Sequence, residues 1–333
     1  EGATLVAATP QTPFCIFSAS KAITAMVIHL LDDRGHLHVD DRIAEYIPEF
    51  GCKGKERTTI RHVLCHRAGI PSIPSERPLE LLYDWDGIIQ QLSDAAPLSA
   101  PGRRVAYHAI TGGFLLGEVV RRVTGDDIRT VLEREILAPC GFIGMNYGVA
   151  DDQMASVAVN AFTGHRVPFP ISKVVVNALG VPFEQAAELS NTQAWLSNIV
   201  PSGNIVGTAN ELGRFFELLL RGGELDGVRV MDRRTIGRAI NETAYRQLDL
   251  TLMMPVRYGV GLMLGSEHVS AFGRGTPKAF GHLGFINNFG WADPERDISV
   301  GLLTSGKPFG VRNLIALVRV LESISSAFER RAI

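Results

Sequence analysis

The middle of the chain reads as helices and its last third as strands, and this order restricts the fold more than any other feature. The segments Tyr258 to Leu264, Gly281 to Ala292 and Ile298 to Thr304 are rich in apolar and aromatic residues, with Asp293-Pro294-Glu295-Arg296 as a turn. Upstream, apolar residues at 22, 23, 26, 27, 30 and 31 recur with a period near 3.6, which predicts a largely buried helix from Ser18 to Asp32 stopped by Gly35. Further helices are expected from Thr59 to His66, Ile110 to Val123 and Asp126 to Leu137. Another follows a Thr208-Ala209-Asn210-Glu211 capping box and runs to about Arg221, and a last one spans Val311 to Phe328. Residues 3 to 7 could add a short strand. A sheet must bury its faces, and the helices come from the middle of the chain. The expectation is an α+β protein with a sheet-containing region from residues 1–60 and 255–333 and a mainly helical region at 61–254.

Composition removes several function classes. With 333 residues, 46% of them hydrophobic and 20% charged, the chain builds a sizeable core and is not disordered. Thirty-three Lys plus Arg against 35 Asp plus Glu leave a net charge of −2, so no basic surplus exists to neutralise nucleic-acid phosphates. The longest apolar runs, at 22–31 and 314–321, are too short or interrupted to span a bilayer. Cys15, Cys52, Cys65 and Cys140 form no C-x-x-C pair, which predicts reduced thiols and slightly favours a cytoplasmic setting. The chain opens on Glu1, so N-terminal targeting is not readable.

Ser18-Ala19-Ser20-Lys21 is the first candidate for chemistry. Residues at i and i+3 share a helix face, so the Lys21 amine can reach the Ser18 hydroxyl. Burial and the positive end of the helix dipole both disfavour an ammonium ion there, which makes Lys21 a proton acceptor and Ser18 an activated nucleophile. The bland alternative makes Ser18 or Ser20 an N-cap and Lys21 a solvated first-turn residue. His62, Cys65 and His66 have helical spacing that suits a zinc site, but no general-base Glu separates the histidines, and the segment reads as structural. No metal or organic cofactor is expected. Trp291 and Phe289 read as sheet packing, and Asp40, Asp41 and Asp293 as turn or capping residues.

Two further motifs, Pro101-Gly102-Arg103-Arg104-Val105-Ala106-Tyr107 and Gly281-His282-Leu283-Gly284-Phe285, complete a recognisable order. With the stretches at 59–70, 208–230 and 291–295, the chain resembles the serine β-lactamase-related hydrolases: class C β-lactamases, D-Ala-D-Ala carboxypeptidases and family VIII carboxylesterases. Its Y-H-A variant and the long run from Gly281 to Arg296 are most similar to actinobacterial lipase/esterase-type members. The resemblance spans most of the chain and is poor at 151–200. It implies a β-lactamase/transpeptidase-like fold, an antiparallel sheet flanked by helices with an inserted helical region.

The resemblance also assigns roles. Ser18 matches the nucleophile, Lys21 its proton-accepting partner and Tyr107 the residue that shuttles protons to the leaving group. His282 takes the place of the K-T-G lysine, and the backbone N–H groups of Ser18 and Phe285 form the oxyanion hole. Two departures stand out. Tyr107-His108-Ala109 replaces Y-x-N, which leaves His108 either a substrate contact or a packed histidine. His282-Leu283-Gly284 replaces K-T-G, so a titratable imidazole stands where a lysine would bind a carboxylate; His108 and Gly284 are the candidate substrate-binding residues. Both changes favour a serine carboxylesterase acting on short to medium acyl esters. The rivals are β-lactam or D-amino-acid peptide hydrolysis on the same residues, and a non-catalytic ligand-binding relative. Parts of 151–200 and the stretch Leu250 to Arg257 are expected to shape the acyl pocket. Family members usually place a helix and two strands before this serine, whereas 17 residues precede Ser18 here. The expectation is a sheet short of those strands, with an exposed edge or apolar face. The physiological substrate and the oligomeric state are not readable.

Overall fold

The computed structural model describes residues 7–73 and 78–331. The strand expected at 3 to 7 lies outside these residues except for Ala7, which is in no strand. Helix α1 (Ser20–Asp33) runs through the centre of the molecule, buried at every position from Ser20 to Leu31. A helix that is apolar on all sides has to be enclosed, and helix α2 (Thr111–Thr124) packs against it. The expected start at Ser18 is two residues early. Ser18 lies in a tight 3-10 turn, Phe17–Ala19, where Phe17 adopts φ +50 and redirects the chain into α1.

Between α2 and the sheet lie α3 (Ile171–Leu179), α4 (Phe183–Leu189) and α5 (Ala209–Leu220). The capping box forms as expected: Thr208 Oγ1 accepts the Glu211 N–H at 3.1 Å, and Glu211 Oε2 accepts the Thr208 N–H at 3.0 Å. The helix predicted from Thr59 to His66 is shorter, Ile60–Leu64, because His66 leaves the helix at φ +57. The one predicted from Asp126 to Leu137 begins at Ile128, after the Asp127 cap, and loosens into a π turn over Glu133–Leu137.

Six antiparallel strands make the main sheet: β1 (Ala244–Asp249), β2 (Met254–Tyr258), β3 (Met263–Leu264), β4 (Phe280–Gly284), β5 (Asn288–Asp293) and β6 (Ile298–Leu302), side by side in that order. The sheet therefore begins at Ala244, before residue 255. The predicted strand Gly281 to Ala292 is two strands, since Ile286 at φ +55 reverses the chain between β4 and β5. The one predicted from Tyr258 to Leu264 breaks similarly, at a turn closed by Gly259 N–H to the Leu262 carbonyl at 2.9 Å.

Period-two alternation on β5 gives the sheet its two covered faces. Gly290 faces Leu212 and Phe216 of α5, while Phe289 and Trp291 join Phe272 and Leu321 on the other side, under helix α6 (Val311–Ala327). Trp291 and Phe289 thus pack the sheet. His282 pairs with Gly290 and so projects to the α1 side. Among the described residues β1 and β6 are the outer strands of this sheet, and α6 turns Val311, Leu314, Ile315 and Val318 outward. The helices and the antiparallel sheet together make an α+β fold.

Candidate active site

The start of α1 carries the first two groups. Lys21 Nζ lies 3.1 Å from Ser18 Oγ and donates to the Ser202 carbonyl at 2.8 Å. Ser202 is itself held, its hydroxyl donating to the Ile110 carbonyl at 2.9 Å and accepting the Gly113 N–H at 3.0 Å. Lys21 is 9% exposed and pairs with no carboxylate among the described residues. Burial therefore pulls its amine down to about 7. Ser20 is no cap: its hydroxyl accepts the Ile205 N–H at 3.1 Å.

Tyr107 reaches the pair from a loop before α2. Its ring centroid is 4.9 Å from Lys21 Nζ, the amine that contacts the Ser18 hydroxyl. Burial raises the phenol well above its ordinary value, the Ser18 hydroxyl opposes this, and the Asp249 charge adds to it. Asp249, at the end of β1, is fully buried and accepts the Tyr107 N–H at 3.1 Å, Thr251 N–H at 2.8 Å and Leu252 N–H at 2.9 Å on one oxygen. His66 lies tilted against the phenol with ring centroids 4.7 Å apart.

Strand β4 brings the remaining candidates. The His282 ring lies 6.3 Å from that of Tyr107, and its Nδ1 donates to the Leu283 carbonyl at 2.6 Å. Nε2 is then the unprotonated nitrogen, and it is buried without a partner. Burial, with the Lys21 charge nearby, lowers His282 to about 3, so it is neutral at ordinary pH. At Gly284 a Cβ would collide with the Ile16 carbonyl oxygen; glycine lets the end of β4 lie against the nucleophile turn. Phe285 follows, with its ring 5.0 Å from Phe17 and stacked at 4.3 Å on Phe183 of α4.

His108 is placed differently. It is fully buried and lowered to about 3 by burial, its Nε2 accepts the Ile70 N–H at 3.3 Å, and its own N–H donates to His66 Nδ1 at 3.2 Å. It braces the turn beneath the site and does not line the cleft. The His62, Cys65 and His66 set does not converge either: His62 caps its own helix, accepting the Thr59 N–H at 3.2 Å, and His66 joins Tyr107. Among the described residues no group of three or more metal-ligating side chains comes together.

Beside Ser18 and Phe285 opens a cleft of about 140 Å³ walled by Ile73, Leu79, Leu82, Leu179, Val181 and Leu189. No described residue lining it is charged. Residues 177–195 of the expected pocket-shaping stretch contribute to it. Leu250 to Arg257 do not, because that hairpin folds under the Tyr107 loop through Asp249. Sequence reasoning missed Ser202 and Asp249, neither of which has a local signature, and it noticed His66 only for its helical spacing to His62, not as the neighbour of Tyr107. Only the capping-like ligation of 251 and 252 by Asp249 could have hinted at a turn anchor.

Comparison with known proteins agrees with this architecture. The family model described as Beta-lactamase matches residues 2–322. The chain is 31% identical to the esterase/beta-lactamase LipL of Mycobacterium tuberculosis over 302 residues, 86% of this chain and 68% of that one. Among solved structures, a family VIII carboxylesterase superposes with a TM-score of 0.80 at 27% identity over 93% of this chain and 83% of the other. A penicillin-binding protein homologue from Caulobacter crescentus gives 0.84 at 29% over 98% and 86%. Esterases and penicillin-binding relatives thus share one scaffold with this chain across nearly its whole length, and on that ground it belongs to the β-lactamase family, as a hydrolase of the serine β-lactamase fold.

Proposed function

We propose that the protein is a serine carboxylesterase that cleaves short to medium acyl esters through an acyl-enzyme on Ser18. The observation that carries the reading is the 3.1 Å approach of Ser18 Oγ to a buried Lys21 amine poised near 7. In the neutral form that amine takes the Ser18 proton as the oxygen attacks the ester carbonyl. The N–H groups of Ser18 and Phe285 receive the developing oxyanion, each such donor contributing about 3 kcal/mol. Tyr107 gives its proton to the departing alkoxide and recovers one through Lys21. Water then enters, loses a proton along the same route and releases the carboxylic acid, leaving Ser18 as it began.

The uncharged cleft supports an ester over a β-lactam or peptide carboxylate, since it offers no cation to pair with one, and His282, neutral and buried outside its lining, supplies none. Covalent labelling by a fluorophosphonate probe, followed by intact mass, tests the reading. One adduct is expected on the wild type and none on folded Ser18→Ala; a folded, unlabelled wild type would overturn it. Nitrocefin turnover matching that of p-nitrophenyl butyrate would move the assignment to β-lactam hydrolysis.

A further inference from the structure

One part of the cleft wall is an apolar helix with no buried residue. Helix α3 reads Ile-Ser-Lys-Val-Val-Val-Asn-Ala-Leu, and although six of its nine side chains are apolar, none is buried. Ala178 and Leu179 line the cleft from inside. On the outside Ile171 is 46% and Val176 37% exposed, and Phe169, just ahead of the helix, is 80% exposed. Water contact over so much hydrocarbon is unfavourable, and here it borders a cleft that is itself apolar.

Along the segment that carries this face the charges are all positive, and the next acidic side chains after it, Glu184 and Glu188, belong to the next helix, α4. From Gln153 to Phe183 there is no Asp or Glu, whereas Arg166 and Lys173 are both exposed. The whole chain carries −2, so this segment departs locally from its charge balance. An apolar surface flanked by cations fits the boundary of an anionic bilayer, where hydrocarbon side chains enter the acyl region and Arg and Lys meet headgroup phosphates.

We propose that Phe169, Ile171 and Val176, with Arg166 and Lys173, form a docking face for an anionic lipid surface, from which acyl chains pass into the cleft behind α3. The docking stands on the exposed face alone; the acyl cargo rests on the esterase reading. In this arrangement α3 lies between two apolar phases, acyl chain within and lipid without, which accounts for an apolar helix that the protein itself leaves uncovered.

The two ideas are separated by measuring binding on Ser18→Ala, which hydrolyses nothing, and turnover on the active enzyme. Ser18→Ala protein is sedimented with vesicles of phosphatidylcholine alone and of phosphatidylcholine with phosphatidylglycerol. Binding to the anionic vesicles is expected to be about tenfold tighter and to weaken with added salt. Phe169→Ser combined with Ile171→Ser should cost about tenfold in vesicle binding. Arg166→Glu with Lys173→Glu should abolish the preference for phosphatidylglycerol. In the active enzyme both double variants should keep turnover of a soluble acetate ester. Absent or charge-independent vesicle binding overturns docking, as does binding that survives the serine substitutions. Should sedimentation velocity show a dimer that the serine substitutions disperse, with no vesicle binding, the face joins two copies and the lipid assignment fails. Vesicle binding by a protein that turns over no ester would retain the docking and refute the esterase reading.

Discussion

Two lysines are buried on either side of the nucleophile turn, and they have nearly the same surroundings. Lys21 Nζ sits 4.9 Å from the Tyr107 ring and Lys307 Nζ 5.1 Å from the Phe17 ring. Burial lowers the first to about 7 and the second to about 8, and neither pairs with a carboxylate among the described residues. The difference lies in the acceptors. Lys21 has a hydroxyl, Ser18 Oγ, at 3.1 Å. Lys307 has the Asn288 amide oxygen at 3.1 Å and the Thr304 carbonyl at 2.6 Å, neither of which has a proton to give. Desolvation alone therefore favours the neutral amine, and reactivity depends on the neighbour within its reach. Lys307 instead ties β5 to the turn after β6, and Asn288 passes the link to the Cys15 carbonyl at 2.9 Å, just ahead of the nucleophile.

The sharpest way to break this comparison is to remove each amine. Lys21→Ala should lower ester turnover by about 10³-fold while the protein stays folded by circular dichroism. Lys307→Met, which keeps the length of the side chain, should leave turnover within about threefold; equal losses in the two variants would refute the distinction. Tyr107→Phe removes only the hydroxyl and should cost about 10²-fold in kcat with little change in KM, read from steady-state kinetics. Asp249→Ala acts through the Tyr107 backbone and leaves three N–H groups without their buried acceptor. A loss of about 2–4 kcal/mol in denaturant unfolding is expected, with a smaller fall in turnover, about tenfold.

The smallest effect concerns pH. Lys21 must be neutral to accept a proton, so kcat/KM should rise through about pH 7 and level off above it. His282 and His108, both near 3, should add no further limb above pH 5. Because Lys21 loses its proton near 7 in the folded chain and at 10.5 in the unfolded one, the unfolded state binds more protons across that window. Unfolding free energy should therefore increase with pH from about 7 toward 10; Lys307, lowered to about 8, adds to the slope from there upward, and Lys21→Met should remove the rise below pH 8 and lessen it above.

Much of the site was legible where its geometry is local. Ser18 and Lys21 are three residues apart, and that spacing places amine beside hydroxyl across the 3-10 turn and the start of α1 much as it would within one helix. Gly284 could be read as a point of close approach only once a neighbour was known, and the neighbour is Ile16, far away in sequence. Strand β1 escaped because its residues, Ala-Tyr-Arg-Gln-Leu-Asp, mix exposed Tyr245 and Arg246 with buried Ala244 and Asp249, as suits an edge with one wet face. The break between β4 and β5 was hidden for the opposite reason: Phe285 and Ile286 continue the apolar pattern through a turn that only the backbone reveals.

What the amino-acid order decides by itself is the set of elements and the local pair: a buried central helix, strands late in the chain, and a serine and lysine on one helical face. Periodicity and i,i+3 spacing are properties of a few neighbouring residues, so they survive without knowledge of the fold. Tertiary structure decides the states of those groups. Lys21 can shed its proton near pH 7 because distant segments exclude water from it, Tyr107 is aimed because Asp249 from β1 holds its backbone, and His282 is a neutral acceptor because burial and the Leu283 carbonyl choose its tautomer. Desolvation and hydrogen bonding between residues over a hundred positions apart exist only once the chain has closed on itself.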